Sequence, residues 1–113
     1  MEVTNISFDP MAAAIDWLDA YRAGDLEMIM ALHAEDAVVH CGCAGVQTIT
    51  GREALRAYWS EHLKKYPAGI LDDLTPSDRG TVVSYVTSTG VMSALLAFDA
   101  AGRIKLVDCS PLH

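Results

Sequence analysis

Cysteine is scarce and odd in number: Cys41, Cys43 and Cys109 are the three in 113 residues. That excludes a closed disulfide framework and fits a reducing compartment, so a cytoplasmic setting is expected. Basic residues are few as well, 8 Lys and Arg against 15 Asp and Glu, for a net charge of -7. Without a basic stripe, nucleic acid and anionic membrane surfaces are excluded as partners. No apolar run approaches the roughly 18 residues of a membrane span. The stretch Met1 to Asn5 lacks the basic and apolar regions of a secretion signal. Internal repeats, low-complexity tracts and long linkers are missing too. What is abundant is apolar bulk, at 51% of residues. That excludes a disordered tail and suffices for the core of a single domain over residues 1–113.

The first half reads helical. Asp9-Pro10 is a strong helix start, with Asp as cap and Pro at the first helical position. Met11, Ala14, Ile15, Leu18 and Tyr21 recur at helical spacing until Gly24. Asp25 caps a shorter helix carrying Leu26, Ile29, Met30 and His33. Ala37 to Cys41 reads as a short strand, and Gly42 to Thr50 as a loop or weak strand. Thr50-Gly51-Arg52-Glu53 has the form of a capping box and opens a third helix through Leu63. Arg52 and Arg56 are expected on its exposed face, and His62 at a solvated edge. Tyr66-Pro67-Ala68-Gly69 stops it.

The second half reads β: Ile70 to Leu74, Thr81 to Thr89, Val91 to Phe98, a turn over Asp99 to Gly102, then Arg103 to Ser110. Short connections favour antiparallel pairing, so the expected class is α+β, with helices covering one face of the sheet. Val91 to Phe98 is apolar on both faces, whereas a half-exposed antiparallel strand alternates. Helices cover one face, and a second copy of the chain is expected on the outer one. A central strand with a merely Ala- and Ser-rich outer face is the alternative.

Four local signatures occur in order: Ala20 to Leu26, Leu32 to Val38, Ile49 to Trp59, and Phe98 to Ile104. Together they resemble the nuclear transport factor 2-like superfamily, in its polyketide-cyclase (SnoaL) and ketosteroid-isomerase-like branch. The resemblance runs from Met11 to Ser110. It implies a curved, mostly antiparallel sheet wrapped around three helices as a cone, with an apolar pocket inside, and dimers formed through the sheet. Relatives include isomerases, cyclases, dehydratases, epoxide hydrolases and non-catalytic binders, so the fold leaves the chemistry open.

The resemblance also places the catalytic positions of the steroid isomerases. Their oxyanion-hole Tyr falls at Trp17, the proton-shuttling Asp at Cys41 and the protonated Asp at Ala94. All three differ, which argues against that mechanism. The implied pocket is lined by Trp17, Tyr21, His33, Cys41, Tyr58, Trp59, Met92, Ala94 and Leu96, and suits a small hydrophobic or aromatic molecule.

Asp108 is the carboxylate of interest. Strict alternation puts it on one face with Ile104 and Leu106, where an apolar setting would raise its pKa and make it a general acid or base. Comparison with the family instead turns Val107 and Cys109 inward, and both readings stay open. His33 is a second candidate, against a core histidine bonded to the backbone. Cys41 is a third, as a nucleophilic thiol against a small buried hydrophobe. If Cys41 points inward, its neighbour His40 faces out. Asp36 is expected to cap the helix–strand junction. Cys41-Gly42-Cys43 lacks the second matched pair of a structural metal site, so neither a metal nor an organic cofactor is expected. Nor does a phosphate cradle or nucleophile elbow occur. Two functions follow: a cofactor-independent isomerase, cyclase, lyase or hydrolase using one acid or base in an apolar pocket, or a non-catalytic hydrophobic-ligand binder or dimeric interaction module.

Overall fold

A computed structural model describes residues 8–42, 47–88 and 90–111. Helix α1 spans Pro10–Ala23. The Asp9 carboxylate accepts from the Met11 and Ala12 amides at 3.0 and 3.3 Å, satisfying donors that the first turn leaves open. Gly24 takes φ +67 and closes the helix. Asp25 caps α2, Leu26–Leu32, by accepting from the Met28 amide at 3.1 Å. Strand β1 follows without a break, His33–Cys41, and pairs antiparallel with β2, Gln47–Thr50. Helix α3 is Arg52–Lys65. Four strands follow: β3 Ala68–Ser77, β4 Gly80–Thr87, β5 Gly90–Phe98 and β6 Ile104–Pro111. The sheet order is β2-β1-β6-β5-β4-β3. The β1–β6 pair is parallel and its neighbours are antiparallel. The class is α+β, as expected.

The helices lie against one face of the sheet and bury a core rich in rings. Trp17 and Tyr21 of α1, Trp59 of α3 and Tyr85 of β4 are each at most 2% exposed. Their rings meet edge to face, with centroids 5.3 to 5.9 Å apart, the arrangement that aromatic quadrupoles favour. Met92, Ala94 and Leu96 complete the core from the inner face of β5. At Gly80 (φ +152) an added Cβ would collide with the Leu96 carbonyl, so β4 and β5 approach more closely there than a side chain permits. The β5–β6 turn is held by Asp99, whose carboxylate accepts from the Ala101 and Arg103 amides at 2.9 and 3.0 Å.

Several local expectations are corrected. Strand β1 starts at His33 rather than Ala37, with a register shift before Val38. Asp36 therefore lies within the strand, exposed, and caps nothing. Thr50 is occupied as the last residue of β2, so α3 is capped by Gly51 with no side-chain bond and no capping box forms. Arg52 is not a free surface cation. Its guanidinium donates to the carbonyls of Met30, His33 and Ala34 at 2.7, 3.2 and 3.5 Å, tying α3 to the end of α2. Arg56 does lie at the surface, paired with Glu27 at 2.7 Å.

The Asp108 register is decided by a bulge. Ala97 pairs with Leu106 and Phe98 with Ile104, leaving Lys105 as an extra residue on β6. Alternation resets there. Ile104, Val107 and Cys109 are buried, whereas Asp108 is exposed beside His40 and Leu95. A carboxylate open to water on the outer face is not the buried acid or base that strict alternation suggested.

Candidate functional site

The space inside the cone is taken up by Trp17, Tyr21, Trp59 and Tyr85. The cavity expected among Trp17, Tyr21, Trp59, Met92, Ala94 and Leu96 is therefore solid core. Accessible space is found instead between α3 and the β1–β2 arm. It is an open-sided cleft of about 520 Å³. Helix α3 supplies one wall through Ala54, Ala57, Tyr58 and Glu61, and Cys41 of β1 and Ile49 of β2 supply the other. Gln47, His62, Lys65 and Tyr66 also border it. Of the residues expected in the pocket, Tyr58 and Cys41 line it.

Tyr58 is the polar group at the inner end. Its hydroxyl lies 3.8 Å from the Cys109 sulfur and also bonds with the Cys41 side chain. Burial, reinforced by the two thiols, holds the phenol protonated far above the ordinary tyrosine range. It is a donor that does not ionise near neutrality.

His62 is the residue that sequence reasoning missed. It is 4% exposed, not solvated. Leu55, Trp59 and His62 form the buried stripe of α3 at spacings of four and three, so the helical period contained the signal. Rings enclose the imidazole: Tyr58 stacks on it at 5.0 Å and 25°, with Tyr66 at 5.1 Å, Trp59 at 5.3 Å and Tyr21 at 5.6 Å. Burial among them pushes its pKa down to about 4, so it is neutral at pH 7. Among the described residues, its Nε2 has no hydrogen-bond partner. The Nε1 atoms of Trp17 and Trp59 and the Nε2 of His33 share that condition.

His33 takes its backbone-bonded alternative. Its Nδ1 lies 2.7 Å from the Ile29 carbonyl, which can only accept, so Nδ1 carries the proton. Burial lowers its pKa, and Arg52 adds to the effect. His40 faces outward, 3.0 Å from the Thr48 hydroxyl across the β1–β2 pair. Cys43 and His113 lie outside the described residues. Among the described residues, no three of His, Cys, Asp and Glu converge as a metal-binding group.

The profile of the SnoaL-like domain matches residues 14–106. The chain belongs to the SnoaL-like domain family. Solved structures agree on the fold of this SnoaL-like domain. A SnoaL-like protein of unknown function from Burkholderia thailandensis E264 shares 17% identity at a TM-score of 0.80, over 96% of this chain and 100% of that one. A protein from Kribbella flavida DSM 17836 shares 20% at 0.77, over 92% and 87%. SalBIII, an epoxide hydrolase/cyclase-like enzyme with a role in pyran ring formation in the polyether salinomycin, shares 14% at 0.75, over 88% of each chain. No curated protein sequence matches this SnoaL-like domain. Among the described residues, no helix is long and apolar enough to cross a membrane.

Proposed function

We propose that the cleft between α3 and the β1–β2 arm binds a small, largely apolar or aromatic molecule carrying an acceptor oxygen such as a carbonyl. The Tyr58 hydroxyl carries this reading. Tyr58 lines the cleft, its phenol stays protonated, and its hydroxyl contacts the sulfurs of Cys41 and Cys109, which are weak hydrogen-bond partners. A ligand oxygen competes well against them. Ala54, Ala57 and Ile49 offer the apolar surface that a flat ring would cover. Cytoplasmic residence, no cofactor and a single domain complete the reading.

The second reading is a cofactor-independent isomerase, cyclase or lyase. It is favoured by the neutral, buried His62 imidazole beside Tyr58, and by the fold shared with the cyclase-like SalBIII. A pKa of about 4 makes His62 a weak base near neutrality, which places binding ahead of proton abstraction. The outer face of β5 supports a homodimer. Val91 and Leu95 lie half-buried there, opposite Val86 and Val82 of β4.

One probe pair separates these readings. 2-Acetylnaphthalene is expected to shift the amide signals of Ile49, Ala54 and Ala57 at lower concentration than 2-ethylnaphthalene, which lacks the carbonyl. Tyr58→Phe should abolish that preference. Equal or absent shifts would sink the binding reading. Loss of the ketone's methyl proton signal in heavy water, dependent on His62, would promote the catalytic one.

A further inference from the structure

The binding reading makes no use of Cys41 and Cys109 as a pair. They are register partners on adjacent parallel strands, and the ladder continues past them, since the Gly42 amide donates to the Cys109 carbonyl at 2.9 Å. Neighbouring strands run about 4.8 Å apart, inside the Cα separation that a disulfide spans. Both side chains point to the buried face, at 7% and 2% exposure, while their strand neighbours His40 and Asp108 lie on the other. Both sulfurs also meet one atom, the Tyr58 hydroxyl oxygen. The two thiols thus share a face, a register and a common contact.

We propose that Cys41 and Cys109 form a reversible disulfide under peroxide, making the inner wall of the cleft a site of oxidative modification. Cys41 lines the cleft and is the point of entry. Peroxide oxidises its thiol to a sulfenic acid and releases one water. The Cys109 sulfur then attacks the sulfenic sulfur. The S–OH bond breaks, and the departing hydroxide takes the Cys109 proton and leaves as a second water. Two electrons pass from the sulfur pair to the peroxide O–O bond. The disulfide is reduced again when an outside thiol attacks one of its sulfurs. Its formation also takes away the thiol hydrogens beside Tyr58.

The test is peptide mapping of the full chain after treatment with hydrogen peroxide and alkylation of remaining thiols. Trypsin yields peptide 23–52, holding Cys41 and Cys43, and peptide 106–113, holding Cys109. The expected product is the two joined, lighter by two hydrogens, and separated again by glutathione. Cys43→Ser should keep the link, and Cys41→Ser and Cys109→Ser should each lose it. Native tryptophan fluorescence confirms that each variant is folded. The proposal is overturned if peptide 106–113 is recovered alkylated and alone, if Cys41 advances to sulfinic acid with Cys109 still a thiol, or if the link survives in Cys41→Ser. The probe titration with 2-acetylnaphthalene concerns reduced protein, so failure of either result leaves the other standing.

Discussion

Tyr58 and His62 lie one turn apart on α3 with their rings stacked, 5.0 Å between centroids and 25° between planes. Burial acts on both in opposite directions, raising the pKa of the phenol and lowering that of the imidazole. Both groups are thereby neutral at pH 7. Tyr58 and His62 thus offer the cleft hydrogen-bonding groups without charge, and its acidic and basic side chains are Glu61 and Lys65.

Stability should fall on acidification because of His62. Its folded pKa of about 4 lies below the ordinary 6.5. As pH drops through 6.5 the unfolded chain takes up the proton first, which favours unfolding. The loss continues down to about pH 4 and then levels off for this group, amounting to about 3 kcal/mol across the window. His33 shifts in the same direction and adds to the slope. Urea unfolding of the wild type and His62→Phe across that range should show a shallower pH dependence in the variant. Equal slopes would contradict the buried neutral imidazole.

Arg52→Ala should destabilise the fold by about 2 kcal/mol, because it leaves carbonyls at the α2–β1 junction without their charged donor. Arg52→Lys should rescue little, since a single ammonium cannot reproduce the guanidinium fork. Arg56→Ala should leave the unfolding midpoint unchanged, as the Glu27 pair is exposed and screened. Comparable losses for Arg52→Ala and Arg56→Ala would remove the distinction drawn between the two arginines.

Gly80→Ala should cost about 3 kcal/mol. The methyl group would meet the Leu96 carbonyl, and the backbone conformation is one that L side chains rarely adopt. Thermal unfolding reads the effect directly. An unchanged midpoint would mean that the β4–β5 approach relaxes freely.

Leu95→Glu should convert a dimer to a monomer in sedimentation velocity while leaving the circular dichroism spectrum intact. Leu95 sits on the outer face, opposite Val82 and Asp108. A wild type that sediments as a monomer at all concentrations would dispose of the sheet-face interface.

Much of the fold was legible because its punctuation is chemical. Asp9-Pro10, Gly24-Asp25 and the Asp99 turn announce themselves by residue type, and each acts in the structure as its chemistry suggests. The site was less legible, for two reasons. A bulge leaves no mark on composition, so one extra residue at Lys105 inverted the face assigned to Asp108. Polarity also misled at His62. A histidine next to Glu61 and before Lys64 reads as solvated, although its helical position lies on the stripe of Leu55 and Trp59. The aromatic residues were expected to line a cavity. Whether large rings line a space or occupy it depends on how closely the sheet curves, which no local pattern records.

The place of β6 in the sheet has a consequence for how the chain is made. It comes last of the six strands in chain order but lies third across the sheet, joining β1 to β5. On the ribosome, the β3–β4–β5 meander can assemble from neighbours in sequence as it emerges. The β1–β2 arm, synthesised earlier, has no ladder to that meander until residues 104–111 are free. The inner contact of the cleft, Tyr58 against Cys109, thus forms only when synthesis has passed β6, and a nascent chain stalled before it would carry two separate half-sheets.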